Sequence, residues 1–376
     1  MHTEPQVEKP EQLESRKRDH IRHSLDPRNQ ASSGPGFDAV DLEHDALPEI
    51  DFSEVTTVSR SLGAACATPF YISGMTAGHA DAPKLNDRLA AACSRRGWGL
   101  GVGSQRRDLE DILTGRVGEN ARGQMDGWAS LRSRYPGLAL FGNIGISQVL
   151  DPARHAAVES LVQLMGAQAL CVHLNPLQEL MQPEGTPQFR GALRALVLLS
   201  ERLSVPVILK ETGCGFTART VEKIRETPGL RLGALDIAGR GGTHWGLIEG
   251  ARAREADAVS IQGSAALTFS SWGVDTVQSL RNAVSVAPGL EVWASGGVRS
   301  GLDAAKAIAL GAARVGFAKP ALEAALAADG ALDRWMERQE FELKVAMFCT
   351  GSATVDELRS RSVAASRPGG SISNDR

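Results

Sequence analysis

Short apolar runs alternate with amphipathic helical stretches along most of the 376-residue chain. Eight runs have the length and composition of buried strands, at residues 69–73, 97–102, 138–144, 169–174, 206–210, 232–237, 290–295 and 314–318. Helical periodicity falls between most of them, for example at 83–95, 155–165, 191–203, 218–227 and 302–310. Eight strands with intervening helices predict an α/β protein, a closed (β/α)₈ TIM barrel. An open doubly wound sheet is the alternative, but it usually has fewer strands and an early glycine-rich turn.

Segments outside this pattern suggest how the chain is organised. Polar residues 1–15 and the tail 361–376 are predicted to be disordered, and residues 16–360 to form one domain. Residues 16–60 precede the first strand and are expected to fold over the mouth of the barrel. The connection between the sixth and seventh strands, at about 239–289, is long. It includes a predicted helix at 246–256 and a strand-like run at 258–261.

Composition limits the class of protein. Hydrophobic residues make up 42% and charged residues 23%, which is ordinary for a soluble globular chain. A net charge of −3 gives no support to a nucleic-acid or membrane-surface partner. No apolar leader and no run of about 18 apolar residues is visible. Five scattered cysteines without CxxC spacing are typical of reduced thiols, so a cytoplasmic location is expected.

A group of polar residues directly follows the fourth predicted strand. His173, Asn175, Gln178 and Glu179 fall within seven residues, where ligands bind in parallel α/β proteins. The Pro and Gly residues at 183 and 185 place these groups on a loop. Gln178 could relay a proton or hold a substrate, and Glu179 could hold a metal. For a single loop of this kind, a capped turn with solvated side chains is the alternative.

Glycine turns follow the sixth and seventh strands, and a lysine follows the eighth. Gly296 and Gly297 precede a predicted helix, Lys319 follows the eighth strand, and residues 239–243 form a further glycine-rich turn. Backbone N–H groups at such turns bind phosphate, and the last two strand ends are the usual phosphate site of these barrels. The alternative is that these glycines only allow the chain to turn and bind no phosphate.

Basic residues mark two more places. Lys210 ends the fifth strand and points into the mouth, where a cation would stabilise the electron-rich edge of a reduced flavin. An ion pair between Lys210 and Glu211 is the alternative. Arg16, Lys17 and His20 form a compact cluster that suits a diphosphate, although a solvated charge run is the usual meaning of such a cluster.

Several of these motifs together resemble the type 2, FMN-dependent isopentenyl-diphosphate isomerases, over about residues 16–322. The glycine motifs alone occur in many FMN barrels, whereas the Arg-Lys pair, the Ser-Gln-Arg triplet and the Asn-x-x-Gln-Glu box are more specific. The matching positions are Arg16, Lys17, His20, Met75, Thr76, Ser104, Gln105, Arg106, Asn143, Asn175, Gln178, Glu179, Lys210, Thr243 and the run 295–301.

The resemblance implies a TIM barrel that uses reduced FMN, Mg²⁺ on Glu179 and NADPH as flavin reductant, in a homotetramer or homo-octamer. It implies catalytic roles for Gln178 and Lys210 in moving a proton along a prenyl diphosphate. Substrate contacts would come from Arg16, Lys17, His20, Ser104, Gln105, Arg106, His173, Asn175 and Gln178. FMN contacts would come from Met75, Thr76, Ala77, Ser104, Asn143, Lys210, Thr243, Gly297, Val298, Arg299, Ala318 and Lys319.

The chain departs from the family pattern at Ala77 and Ala238, where the family usually has Gly and Ser; both changes bear on FMN affinity. Two other functions stay open. An FMN oxidoreductase of the 2-hydroxy-acid oxidase or inosinate dehydrogenase type would share the barrel, but His244 and residues 262–264 match those chemistries poorly. The second alternative function is that of a non-catalytic paralog that binds flavin or prenyl diphosphate.

Overall fold

The structure is a computed structural model that describes residues 10–75, 82–115, 125–361 and 363–365. Its centre is a closed barrel of eight parallel strands whose order around the barrel follows the chain. The predicted (β/α)₈ barrel is therefore confirmed. The strands are Phe70–Ile72, Gly99–Gly101, Leu140–Gly145, Ala169–Leu174, Val207–Glu211, Leu232–Asp236, Glu291–Ala294 and Arg314–Phe317.

The strands form because their side chains are apolar on both faces. All six residues of Leu140–Gly145 are buried, as expected where helices cover the outside and side chains fill the inside. Inside the barrel, the Tyr71 ring lies 4.9 Å from the Trp293 ring, which lies 5.1 Å from Phe141. The interior is therefore a packed core, and a ligand can enter only at an end.

Helices surround the barrel, and each helix predicted from periodicity overlaps an observed one. The run at 258–261 is not a strand, however, because a helix begins at Ile261. The α-helices are Pro10–Leu25, Ala82–Arg96, Arg106–Leu113, Met125–Arg134, Ile146–Val149, His155–Met165, Pro176–Met181, Ala192–Arg202, Ala218–Arg225, Trp245–Ala256, Ile261–Thr268, Thr276–Val286, Gly301–Ala309, Lys319–Leu326, Ala331–Phe348 and Val355–Arg359.

The chain ends are more structured than expected. Residues 10–15, predicted to be disordered, start the helix Pro10–Leu25. Residues Val363–Ala365 of the predicted tail form a strand that pairs with Val40–Leu42. Residues 1–9 and 366–376 lie outside the described part of the chain.

The N-terminal segment lies over the barrel mouth, as predicted. Helix Pro10–Leu25 packs against Trp245–Ala256, and the N–H of Ala31 donates to the Gly242 carbonyl at 2.8 Å. At the opposite end, a hairpin of strands Ser59–Ser61 and Ala64–Cys66 covers the amino ends of the barrel strands. None of the helices in the described ranges is long and apolar enough to cross a membrane.

Candidate active site

A cavity of about 660 Å³ opens at the carboxyl ends of the barrel strands, beneath helix Pro10–Leu25. Cavities of this size bind cofactors and small substrates. Most residues predicted from the sequence line it, and they come from the ends of all eight strands and from the N-terminal helix. They are Arg16, His20, Met75, Ser104, Arg106, Asn143, His173, Asn175, Gln178, Glu179, Lys210, Thr243, Gly297, Val298, Arg299, Ala318 and Lys319.

A few predicted residues are placed differently. Gln105 is buried and does not line the cavity: its Oε1 accepts from the Asn143 N–H at 3.1 Å, and its Nε2 donates to Asp108 at 3.2 Å. Because both amide atoms are bonded to protein, Gln105 supports Asn143 from outside the cavity lining. The Lys17 side chain, Thr76 and Ala77 lie outside the described residues.

Two glycine turns pack tightly against each other beside the cavity. Gly296 and Gly297 have left-handed φ values of +96° and +73°. A Cβ on Gly297 would lie 2.5 Å from the Gly241 carbonyl oxygen, so only glycine fits there. The Arg299 guanidinium donates to the same carbonyl at 3.1 Å and lines the cavity. This corner combines exposed backbone with a cation, an arrangement that suits a phosphate.

Lys210 is paired with Asp236, its register partner on the adjacent sixth strand, rather than with its neighbour Glu211. The Lys210 Nζ lies 3.0 Å from Asp236 Oδ2 and 3.3 Å from Ser295 Oγ. The Ser295 and Tyr71 hydroxyls both donate to Asp236, at 2.6 and 2.7 Å. Burial, and then the charge of Asp236, raise the pKa of Tyr71 well above its usual range. The Tyr71 hydroxyl therefore stays a donor, and the network holds the ammonium at the cavity floor.

Glu211 anchors the loop after the fifth strand. One of its carboxylate oxygens accepts from the backbone N–H groups of Thr212, Cys214 and Gly215, and residues Thr212 and Gly213 line the cavity. Burial raises the pKa of Glu211 to about 7, against the lowering effect of these three hydrogen bonds. Glu211 thus shapes the cavity wall next to Lys210.

Asn143 and His173 form a fixed pair at the ends of adjacent strands. Asn143 Nδ2 donates to the Val102 carbonyl at 2.9 Å, which leaves its Oδ1 facing His173 Nδ1 at 2.8 Å. An amide oxygen only accepts, so Nδ1 of His173 carries the proton in this pair. Both side chains therefore present fixed polar atoms to the cavity.

The residues of the Asn-x-x-Gln-Glu box lie on the short helix Pro176–Met181 and its preceding residue, not on a loop as predicted. Asn175 Nδ2 donates to Glu179 Oε1 at 2.8 Å, and the Thr186 N–H donates to Glu179 Oε2 at 2.6 Å. Gln178 Nε2 donates to Glu249 Oε1 at 3.0 Å. One helical turn thus brings Asn175, Gln178 and Glu179 together at the cavity edge.

Glu249 is a fully buried carboxylate behind Gln178. It accepts from Arg252 Nη1 at 2.6 Å and lies 2.8 Å from His20 Nε2. Burial alone would raise the pKa of Glu249. The charges of His20 and Arg252 and the hydrogen bonds from His20 and Gln178 outweigh burial, and the pKa falls to about 2. Glu249 is therefore anionic at neutral pH and joins the N-terminal helix to Gln178.

Sequence reasoning missed Asp236 and Glu249. Asp236 ends an otherwise apolar predicted strand, and a carboxylate there calls for a cationic partner. Glu249 directly follows Leu247 and Ile248, which are buried on the helix Trp245–Ala256. In both cases the sequence feature that could have revealed the residue is a charged side chain on a face of the strand or helix that has to be buried.

His244, weighed as a catalytic base for a hydroxy-acid oxidase, does not line the cavity. Its ring is buried, and its Nδ1 accepts from the Leu247 N–H at 3.1 Å as a helix cap. Burial lowers the pKa of His244. Residues 262–264, weighed for a dehydrogenase loop, lie within the helix Ile261–Thr268.

Comparisons with known proteins agree with this arrangement. A family model described as FMN-dependent dehydrogenase matches residues 248–365. Two solved mandelate oxidase structures, with 4-Br-2-hydroxy-methylphenylacetate and with 2-hydroxy-phenylacetamide, give TM-scores of 0.62 and 0.61 at 17% and 18% identity. They cover 94% and 96% of this chain and 99% of their own chains. At such low identity the likeness shows the shared fold alone.

Two curated relatives are much more similar. The isopentenyl-diphosphate delta-isomerase of Legionella pneumophila (strain Corby) is 48% identical over 93% of this chain and 97% of its own length. The protein of that name from Bdellovibrio bacteriovorus (strain ATCC 15356 / DSM 50701 / NCIMB 9529 / HD100) is 45% identical over 94% of this chain and 98% of its own length. The chain therefore belongs to the family of type 2, FMN-dependent isopentenyl-diphosphate delta-isomerases.

Proposed function

We propose that this protein interconverts isopentenyl diphosphate and dimethylallyl diphosphate by a 1,3-proton shift, for isoprenoid biosynthesis. The observation that carries the proposal is that two chemically different sets of residues, which we call its two halves, line one cavity. One half has the glycine turns, Arg299 and Lys210, and the other has Arg16 and the box from Asn175 to Glu179. A cofactor phosphate and a substrate diphosphate can therefore bind at separate places.

The first half fits FMN. The glycine turns and Arg299 would hold its phosphate, and Lys210 would lie at the electron-rich edge of the ring. When bound, reduced FMN would supply the acid and the base that an unactivated alkene requires. The other cavity residues assigned to FMN are Met75, Ser104, Asn143, Thr243, Val298, Ala318 and Lys319. Thr76 and Ala77 are assigned on the resemblance alone.

The second half fits a diphosphate with Mg²⁺. Two cations and a carboxylate line the cavity there, from Arg16, Arg106 and Glu179. In the described ranges, no group of three or more His, Cys, Asp or Glu side chains could hold a metal without help. Mg²⁺ commonly binds one or two carboxylates and completes its shell with water and substrate phosphates. Glu179 would therefore bind Mg²⁺ only together with the diphosphate.

Gln178 and Glu249 orient the reacting end of the substrate. The hydrogen bond from Gln178 Nε2 to Glu249 fixes the direction of the amide, so its oxygen faces away from Glu249. The amide is a weak acid and base, so we assign Gln178 to holding and guiding the alkene beside the cofactor. Helix Pro10–Leu25 covers the mouth and keeps water from the reacting carbons.

A conversion assay tests this proposal. The purified chain, with FMN reduced anaerobically, is incubated with isopentenyl diphosphate, and the products are separated by chromatography. Dimethylallyl diphosphate is expected only when both Mg²⁺ and reduced FMN are present. Tight FMN binding without any product in the complete mixture would contradict the proposal and favour a non-catalytic paralog. NADPH as reductant and assembly into tetramers or octamers stay predictions from the resemblance.

A further inference from the structure

A buried arginine lies at the end of the barrel opposite the cavity. Arg314 is the first residue of the eighth barrel strand, and only 5% of it is exposed. Its guanidinium carbon lies 5.5 Å from the centre of the Phe141 ring and 5.4 Å from that of Trp293. An arginine keeps its charge at any physiological pH, so this charge is held inside an aromatic core.

No carboxylate neutralises this charge within the described part of the chain. No Asp or Glu oxygen there lies within 4.0 Å of an Arg314 nitrogen, and the buried Nε and Nη1 have no hydrogen-bond partner. Glu291, on the adjacent strand, accepts from the Ser61 hydroxyl, the Leu62 N–H and Trp293 Nε1 instead. A buried charge without a counter-charge is costly, and the Phe141 and Trp293 rings offset only part of that cost, so an anion beside the guanidinium would be favourable.

The polar partner of Arg314 is a cysteine. Arg314 Nη2 lies 2.7 Å from Cys66 Sγ, on the hairpin that covers this end of the barrel. As a thiol, Cys66 donates to the Ala64 carbonyl at 3.7 Å, a weak hydrogen bond that is lost when the sulfur loses its proton. A thiolate on Cys66 would supply the missing anion, and a neighbouring arginine is the usual means of stabilising one.

We propose that Cys66 is a nucleophile activated by Arg314 and a covalent modification site, open to small electrophiles and hydroperoxides. Cys66 is partly exposed, so such reagents can reach it, whereas Cys93 and Cys171 are buried. Burial raises the pKa of the Cys93, Cys171 and Cys214 thiols, which makes them poor nucleophiles. Cys349 is partly exposed like Cys66, and no arginine of the described ranges donates to its sulfur, so it serves as the internal reference.

The reactions at Cys66 need no reactant other than the reagent itself and water. With an alkyl iodide, the sulfur lone pair forms an S–C bond, the C–I bond breaks and iodide leaves. With a hydroperoxide, the sulfur takes one oxygen, the O–O bond breaks, and the departing oxyanion takes a proton from water. The sulfur is then oxidised by two electrons to a sulfenic acid and the peroxide is reduced. The site lies at the far end of the barrel and is independent of the proposed isomerase function.

Site-resolved alkylation tests the proposal on the full chain carrying FMN. The protein is treated with limiting iodoacetamide at neutral pH, and the modification of each cysteine is followed by peptide mass spectrometry. Cys66 is expected to react about tenfold faster than Cys349. A parallel reaction with hydrogen peroxide and dimedone should label Cys66 first.

Two variants complete the test. Arg314→Met removes the charge while keeping the bulk, and the Cys66 rate should fall about tenfold, to that of Cys349. Arg314→Lys keeps a cation and should preserve part of the fast reaction at Cys66. This variant still tests the proposal if Arg314→Met fails to fold. Cys66→Ser removes the labelled peptide and leaves isomerase turnover unchanged. Equal rates at Cys66 and Cys349 in the wild type, or a Cys66 rate that does not respond to Arg314→Met, would overturn the proposal.

Discussion

Glu179 is the residue on which the proposed metal site depends. Glu179→Gln keeps the size of the side chain and an oxygen that can accept from Asn175 or Thr186, but it removes the charge that Mg²⁺ needs. We expect Mg²⁺-dependent turnover to fall about 100-fold while FMN binds as before. Steady-state rates across a Mg²⁺ titration, together with a flavin titration, measure both effects.

The matched control is Glu184→Gln, which changes a carboxylate that pairs with Arg252 and does not line the cavity. It should keep the wild-type dependence on Mg²⁺. If Glu179→Gln turns over at the wild-type rate with saturating substrate, the metal assignment is wrong.

Lys210 is expected to favour reduced over oxidised FMN. Lys210→Ala removes the cation near the electron-rich edge, so the affinity for reduced FMN should fall by about tenfold more than that for oxidised FMN. Anaerobic and aerobic flavin titrations give the two affinities.

Because Lys210→Ala leaves Asp236 buried without its cation, a second variant is needed. Lys210→Ala with Asp236→Asn removes both charges of the 3.0 Å pair and should show the same selective loss with better stability. Equal loss of affinity for both redox states would show that Lys210 only holds the local structure.

At the scale of elements, apolar runs were enough to place the barrel strands, because parallel strands are buried on both faces. The same pattern predicted a strand wrongly at residues 258–261, because a short apolar run does not distinguish a strand from the start of a helix. The box after the fourth strand is helical because Pro176 occupies the first turn, where proline is favoured. The Asn175-Pro176 pair was the sequence feature that could have predicted the start of this helix.

Contacts between elements were beyond what periodicity could show. The pairing of Lys210 with Asp236 and of Gln178 with Glu249 joins residues 26 and 71 positions apart in the sequence. The sequence indicated which side chains reach the mouth of the barrel, but not which charges hold them in place. Gln105 shows the reverse case, because the sequence predicts a polar side chain in the cavity, whereas its amide is buried and bonds to Asn143 and Asp108.

Glu249 links the helices Trp245–Ala256, Pro176–Met181 and Pro10–Leu25. Its pKa is about 2 in the folded protein and near 4.5 when unfolded. A lowered folded pKa means that its stabilising effect is complete above about pH 4.5 and is lost as the pH falls toward 2. We therefore expect Glu249→Gln to lower the free energy of unfolding by about 3 kcal/mol at pH 7 and by less at pH 4.

Urea unfolding at the two pH values measures this difference. Glu226→Gln is the control, because Glu226 is exposed and pairs with an adjacent exposed arginine. Its effect on the free energy of unfolding should be small at both pH values. A gap between wild type and Glu249→Gln that stays constant or widens at pH 4 would contradict the role assigned to Glu249.

At the scale of the whole molecule, the fold does not decide the chemistry. Mandelate oxidase structures share the barrel at 17% and 18% identity, but the cavity of this chain has the Asn175 to Glu179 box with Glu249 behind it. Function lies in the site that a fold carries. The barrel collects eight strand ends around one cavity, and the N-terminal helix closes it.

The most direct test of this account follows the proton itself. Isopentenyl diphosphate is incubated anaerobically with the protein, reduced FMN and Mg²⁺ in deuterated water, and the product is analysed by NMR and mass spectrometry. The account predicts dimethylallyl diphosphate with deuterium in its newly formed methyl group. Bound flavin and substrate without deuterium incorporation, or oxidation of the substrate in its place, would contradict it.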